Sequence, residues 1–311
     1  MSYEGEMLQA LMMPVRQKVE QSLLTALFRH DGVIEEFGAG QPIVDEIADE
    51  FKLNQTQRSA VLETIYRKEN RVKNAVLWHR LLFRAADSLA GDGLISRPTA
   101  TLKITGKKEW MLTESGFDKT LRILKIPSKH KNSLLTKSFE VQKFVKQMIE
   151  AARPESYDPC DNSKKLVNKL KESAIRARGF RQAVLQAYDG SCAFCGMKIH
   201  VPDSALWEAE AAHIVPHSSM GKDDIWNGLA LCRSHHWAFD VGWLSLRDNF
   251  TIQVSPRICS LPPAFGKIHG SEFIRCYSAK NIQMKLPPNK NLHPHQAALL
   301  WHRERVFFNQ P

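Results

Sequence analysis

The chain has 311 residues, a formal net charge of +10 and a sequence pI of about 9.3. Its 43% hydrophobic and 24% charged content is ordinary for a soluble globular protein, the length suits two domains, and no repeat or low-complexity tract interrupts it. No apolar run reaches the ~18 residues that a bilayer span needs, and the start MSYEGEMLQALMMPV lacks the basic leader and apolar stretch of a signal peptide. A membrane partner is not expected, and a cytoplasmic location is.

Val19 to Phe28 reads as a short amphipathic helix. Ile43, Ile47 and Phe51 share one face of a second helix that ends near Leu53. A longer helical pattern follows, with Val72, Val76, His79, Phe83, Ala86 and Leu89 or Ala90 along one stripe, and it stops at Gly91-Asp92-Gly93. Two strand-like runs, Thr101 to Thr105 and Glu109 to Thr113, are joined by Gly106-Lys107-Lys108, a loop suited to a β-hairpin. Helices followed by a hairpin predict a winged helix over residues 1–125. The endings GLISRP and WMLTESG resemble the N-terminal domain of Mrr-type restriction proteins. In that arrangement the third helix is the expected DNA reader. Lys73, Arg80 and Arg84 fall within about 40° of one another on a helix of 3.6 residues per turn. Lys107 and Lys108 would tip the wing. Winged helices also serve as protein docking modules, and exposed basic residues also simply face water, so both readings stay open here.

Residues 126–175 read as a basic, partly helical linker. Its helix is expected at Phe139 to Ala152 and its looser part at Pro154 to Ser163. Between Arg122 and Arg181 fifteen Lys or Arg face six Asp or Glu, so nearly all of the chain's excess positive charge lies there. Such a segment suits a polyanion, because each phosphate it neutralises releases condensed counterions.

The densest chemistry lies between Cys192 and Asp240. Cys192 and Cys195 form C-x2-C, and Cys232 and His235 form C-x2-H. Four ligands on two tight turns are what a tetrahedral, closed, structural Zn2+ site requires, and such a site would contribute to the folding free energy of a small domain. The alternative is a set of ordinary buried thiols. Cys160, Cys259 and Cys276 have no such spacing and read as bystanders.

A second set threads through the first: His213 in AAHIVP, Asn227 in WNGLAL and His236 directly after the zinc-type His235. If Leu229 to Phe239 is largely helical, adjacent residues point about 100° apart, so His235 and His236 can serve different metals. Asp240, four residues beyond His236, shares its face and completes an open site for a hard cation such as Mg2+ or Mn2+.

Residues 192–244 resemble the HNH (ββα-metal) nuclease module. The wider string RARGFRQAVLQAYDGSCAFCG, with HPHQAALLWHRERVFF near the C-terminus, is similar to a bacterial family of predicted restriction endonucleases. The resemblance implies that His213 is the general base, that Asn227 orients the His-bearing loop, and that His236 binds the catalytic metal. Many HNH proteins carry Asp or His just before the catalytic His, where this chain has Ala212. The second ligand must come from elsewhere, Asp240 being favoured over Glu210.

The expected fold class is therefore α+β, with an N-terminal winged helix joined by the linker to a zinc-stapled ββα-metal nuclease domain over residues 176–311. The expected function is metal-dependent hydrolysis of double-stranded DNA in restriction or phage defence, leaving 5′-phosphate and 3′-hydroxyl ends. One active site cuts one strand, so double-strand cleavage calls for a homodimer or two visits, and other defence-system proteins are further candidate partners. Two alternatives stay open: a non-catalytic zinc-ribbon DNA-binding regulator, and an HNH nuclease acting on another nucleic acid.

Overall fold

The computed structural model describes residues 3–66, 71–127, 131, 134, 136–160, 170–200, 207–260, 267–268, 271–272 and 282–307. The chain divides into two compact units, 1–143 and 144–311, and the division falls inside the segment read as a linker.

The first unit begins with α1 (Tyr3–Ala10), α2 (Arg16–Arg29), β1 (Val33–Ile34), α3 (Pro42–Glu50) and α4 (Gln55–Ser59). Pro42 starts α3 at a position whose N–H would have no helical partner. Ile43, Val44, Ile47 and Ala48 are buried on the helix's inner face. Asn54 and Gln57 form a reciprocal capping box that starts α4. The hairpin of β2 (Val61–Tyr66) and β3 (Arg71–Val76) runs straight into α5 (Leu77–Gly91), and Val61 pairs with Val76.

This corrects the expected third helix, which begins at Leu77 and does not include Lys73. Lys73 sits on β3, where its backbone pairs with Thr64, so it cannot share a helical stripe with Arg80 and Arg84. The β-branched residues Val61, Thr64, Ile65, Val72 and Val76 favour an extended chain. A helix continued back to Val72 also has the wrong phase. The buried face is Trp78, Leu81, Leu82, Ala85, Ala86 and Leu89, while Phe83 stays 54% exposed.

A three-stranded antiparallel sheet closes this unit in the order β1, β5 (Trp110–Leu112), β4 (Ile95–Ser96). Trp110 pairs with Ile34, and Leu112 with Ile95. The run Thr101 to Thr105, expected as a strand, is instead the second half of α6 (Pro98–Thr105). Pro98 fixes the first helical turn, and the buried Thr101 hydroxyl satisfies itself on backbone carbonyls, Pro98 O among them at 3.1 Å. Gly106, left-handed at φ 75°, ends the helix. Lys107 and Lys108 are exposed in the turn that leads to β5, not at the tip of a hairpin. α7 (Glu114–Ile123) follows, with its Phe117 stacked on Phe28 of α2, and α8 (Phe139–Glu150) spans the division between the units.

The second unit is built around α9 (Leu170–Ala187), the antiparallel pair β6 (Ala209–His213) and β7 (Gly228–Cys232), and α10 (Arg233–Asp240). The segment Leu229 to Phe239 is therefore strand as far as Cys232 and helix only from Arg233. Leu229, Ala230, Leu231 and Cys232 are buried without alternation, and such an apolar run cannot be told from a buried helix by periodicity alone. α9 packs across both strands. Gly228, opposite His213 in the ladder, permits this approach: a Cβ there would lie 2.4 Å from Val184 Cγ2 and 3.0 Å from Phe180 Cε2. β8 (Leu244–Leu246) pairs with β9 (Ile252–Val254), and α11 (Gln296–Arg305) packs against β8. Among the described residues no helix is long and apolar enough to cross a membrane.

Candidate active site and metal cluster

The turn after α9 folds back tightly, with Cys192 N–H bonded to Met197 O and Gly196 N–H bonded to Cys192 O, so Cys192 and Cys195 lie on one small loop. Cys232 ends β7 at the N-cap position of α10, and His235 follows within the first helical turn. The ligand atoms of Cys192, Cys195, Cys232 and His235 all lie within 4.8 Å of one another. Cys195 Sγ is 4.0 Å from Cys232 Sγ, and His235 Nδ1 is 3.0 Å from Cys232 Sγ and 3.7 Å from Cys192 Sγ. Thiolates on a tetrahedral ion with metal–sulfur bonds of ~2.3 Å would be separated by roughly 3.8 Å, so this Cys3His set fits such an ion.

The thiol chemistry agrees with the geometry. A hydrogen bond from Cys232 draws Cys192 down to about 3, against the effect of burial. Cys232 is pushed up by that same bond and then by burial, and Cys195 is pushed up mainly by burial. A bound cation would let all three thiols ionise. Of the cysteines read as bystanders, Cys160 is a free thiol, while Cys276 and the side chain of Cys259 lie outside the described residues.

The loop between β6 and β7 is organised by Asn227, which is fully buried. Its Oδ1 accepts from Val215 N–H at 2.8 Å, and its Nδ2 donates to Val215 O at 3.1 Å and Lys222 O at 3.0 Å. Its backbone carbonyl accepts from Ile214 N–H, the residue after His213. Gly221 makes room for this clasp, since a Cβ there would lie 1.8 Å from Val215 O and 3.0 Å from Asn227 Nδ2.

A second layer holds the loop from outside. Tyr157 donates to Asp224 Oδ1 at 2.6 Å, and that atom also accepts from Asn227 N–H. Burial pushes the Asp224 carboxyl up despite these bonds, and burial followed by the Asp224 charge pushes the Tyr157 phenol up. The Tyr157 ring lies 4.8 Å from that of His295, whose backbone N–H donates to Trp226 O. Lys222 N–H bonds Pro159 O, and Arg153 donates to the carbonyls of His293 and Pro294. The stretch read as the loose part of the linker is therefore a strap on this loop over residues 153–160. Residues 161–163 lie outside the described ones.

His213 ends β6 with its ring stacked on Phe180 of α9, centroids 4.0 Å apart and planes at 18°. Its Nε2 lies 2.9 Å from Asp223 Oδ1, within hydrogen-bond distance. His236, on α10, lies between two carboxylates: Nδ1 is 3.1 Å from Glu210 Oε2, and Nε2 is 3.4 Å from Asp240 Oδ2. Burial opposes the charged imidazolium of His236, but these carboxylates outweigh it and hold its pKa above the ordinary histidine value. The His236 hydrogen bond holds Glu210 below the usual carboxylate range, with Arg181 and Arg233 adding their charge. Asp240 is raised by burial, offset by the nearby His236 and His213. Of the residues picked from sequence, His236 and Asp240 pair on α10, and His213 ends β6, the strand whose Glu210 contacts His236. Glu210, the weaker candidate, makes the shorter contact to His236. Asp223 and Gly221 escaped sequence reasoning, and their signal was only a Gly-Lys-Asp-Asp turn before Asn227.

The basic residues of the first unit stand differently. Arg80 Nε and Arg84 Nη2 lie 2.8 and 2.7 Å from Glu4 Oε2, on a side chain only 7% exposed. They are the ion-pair partners of an acid on α1, with Lys73 apart from them on β3.

Two antiparallel strands and a following helix, with a histidine at the end of the first strand and a His/Asp pair on the helix, define a ββα-metal nuclease module backed by a Cys3His cluster. Residues 192–247 match the family model described as HNH endonuclease, so this part of the chain is an HNH endonuclease domain. Among solved structures the chain is similar to one described as "Modification dependent TagI restriction endonuclease", at 19% identity and a TM-score of 0.32. The match covers 46% of this chain and 44% of that one, so this chain spans less than half the length of that structure. No curated protein matches the chain.

Proposed function

We propose that this protein is a metal-dependent DNA endonuclease of restriction or phage-defence type, acting in the cytoplasm on double-stranded DNA and leaving 5′-phosphate and 3′-hydroxyl ends. The observation that carries the reading is the ββα frame, on which His213 ends β6, the His236–Asp240 pair lies on α10 and Asn227 clasps the intervening loop. In this reading His213 takes a proton from the attacking water, as an imidazole can near neutral pH. Asn227 holds the His213 loop in place and touches no substrate. A divalent cation such as Mg2+ or Mn2+, held by His236 and Asp240 with Glu210 beside them, would supply positive charge against the leaving 3′ oxygen. Arg181 and Arg233, already near Glu210, add positive charge where a phosphate would approach. Zn2+ is the ion proposed for the Cys3His cluster, in a purely structural role.

The first unit is proposed as a winged helix that selects the target. The order of α2, β1, α3, α5, β4 and β5, with β5 central in the sheet, supports that reading, and α6 occupies the place of the wing. Lys107 and Lys108, exposed in the turn after α6, and Lys73 are the proposed phosphate contacts. The capture of Arg80 and Arg84 by Glu4 favours a second role for α5, in docking or stability rather than reading. Cleavage of both strands would require a homodimer or successive nicks, and other defence proteins remain candidate partners.

The test is to incubate the purified protein with modified and unmodified plasmid in Mg2+, Mn2+ or EDTA, and to follow nicked and linear forms. Metal-dependent cutting that is lost in His213→Ala, with DNA affinity retained, is the expected result. Cutting by His213→Ala at the wild-type rate, or binding without cutting under every metal, overturns the reading.

A further inference from the structure

The contact between His213 and Asp223 carries an inference beyond the set His213, Asn227 and His236. We infer that Asp223 is the positioning residue for the proposed base, fixing the His213 ring as the Nε2–H tautomer so that Nδ1 is the atom that accepts the proton from water. This rests on the reading of His213 as the general base.

Three features point to it. The Asp223 carboxylate lies 2.9 Å from His213 Nε2, within hydrogen-bond distance, and a carboxylate can only accept there, so the proton sits on Nε2. A neutral imidazole with its proton on one nitrogen has its lone pair on the other, and the tautomer is set by the partner of the protonated nitrogen. The ring's plane is fixed separately by Phe180, stacked at 4.0 Å. Rotation about the ring axis is the freedom that stacking leaves, and the bond to Asp223 removes it. Both groups are partly screened from water, the His213 side chain being 22% exposed and Asp223 11%, so the bond is not a solvated surface pair.

Asp223 reaches this place through the same loop that Asn227 clasps. Lys222 O, the carbonyl directly before Asp223, accepts from Asn227 Nδ2. The amide thus positions the loop at both ends, Val215 beyond His213 and Lys222 beside Asp223, and the base and its orienting carboxylate are set by one buried side chain. Proton balance is simple: water's proton passes to Nδ1, the hydroxide's oxygen bonds to phosphorus, and the leaving 3′ oxygen departs and takes up a proton from solvent.

The experiment compares Asp223→Asn, Asp223→Ala and Asp223→Glu with wild type and His213→Ala in single-turnover plasmid cleavage with Mg2+, alongside DNA affinity and zinc content. Asparagine is the informative change. Its amide can donate to Nε2 and so permits the opposite tautomer, with the proton on Nδ1. We expect Asp223→Asn and Asp223→Ala to lower the cleavage rate roughly 100-fold, the lower end of what general-base catalysis contributes. DNA affinity and zinc content should stay at wild-type levels, and Asp223→Glu should recover part of the rate. The second readout is the nitrogen NMR spectrum of histidine-labelled wild-type protein, with the His213 signals assigned by their disappearance in His213→Gln. It should show Nε2 protonated and Nδ1 bare. Loss of cleavage in His213→Ala with full activity in both Asp223→Asn and Asp223→Ala sinks this inference alone, whereas an active His213→Ala sinks the underlying reading. If the Asp223 variants fail to fold, the wild-type spectrum decides, and a proton on Nδ1 overturns the proposal.

Discussion

The two units hold their polar side chains in opposite ways. In the second, Asn227 binds backbone groups of Val215 and Lys222 within a stretch of a dozen residues, so short-range chain geometry builds the loop that carries His213 and Asp223. In the first, Arg80 and Arg84 are held by Glu4, an acid from a different helix 76 residues away from Arg80. A motif whose partners are local keeps its meaning when read along the chain. A basic stripe does not, because a distant acid can fold over it and change it from a surface into an ion pair.

The largest effect that could break this contrast is at the Cys3His cluster. Cys195→Ser removes one of four ligands from a set whose binding free energy is folding free energy, on the order of 10 kcal/mol for structural zinc sites. The expected outcome is loss of about one zinc per chain and rapid proteolysis in the second unit, while the first resists. A variant that stays zinc-replete and protease-resistant would mean that this unit is held by its apolar core instead.

A smaller effect concerns acid. His302 is buried on Phe239, rings 3.7 Å apart, and its Nε2–H donates to Phe239 O while Nδ1 accepts from Ser245. Burial depresses its pKa to about 4. The unfolded chain, with an ordinary value near 6.5, therefore binds the proton first as pH falls. The neutral histidine's contribution is complete above about pH 6.5 and is lost progressively toward pH 4, amounting to about 3 kcal/mol at most. Hydrogen exchange of α11 and β8 at pH 7 and pH 5 should show the loss, and His302→Gln should flatten it. Equal protection at both values would remove His302 as the cause.

The smallest effect sharpens the reading of the first unit. Changing Arg80 and Arg84 to Ala leaves the Glu4 carboxylate buried without its partners, at a cost of about 1 to 3 kcal/mol. If α5 serves stability, unfolding shifts by that amount and DNA affinity holds. If the arginines also bind phosphate, the salt dependence of DNA binding falls by about one unit for each phosphate no longer neutralised. Glu4→Gln separates the two cases, because it frees both arginines: tighter DNA binding marks them as readers, and unchanged binding marks them as structural.

Both metal half-sites, and the spacing of His213, Asn227 and His236, were legible in sequence. Each half-site depends on one tight turn or one helical turn, where spacing along the chain is nearly the same as spacing in space, while the other three were legible through the family spacing they resemble. Elements without such local punctuation were not. The apolar run from Leu229 to Cys232 reads equally as helix or strand, and the β-branched residues of Thr101 to Thr105 suggest a strand, although Pro98 and Gly106 bound a helix. Val72 and Val76 fit a helical stripe by their spacing, yet both belong to a strand whose partner, β2, lies upstream of that stripe.

What the sequence determined by itself is therefore the donor inventory: three cysteines and a histidine for one ion, and an HNH constellation for the chemistry. Beyond the Asp240–His236 pair on one helical face, only the tertiary structure decided which carboxylates serve which histidine. Asp223 approaches His213 across a ten-residue loop, and Glu210 approaches His236 from the neighbouring strand. The strap at Tyr157 and the acid that captures Arg80 and Arg84 are of the same kind. A carboxylate looks alike wherever it falls in a chain, and its partner is chosen by packing and by the cost of burying a charge alone.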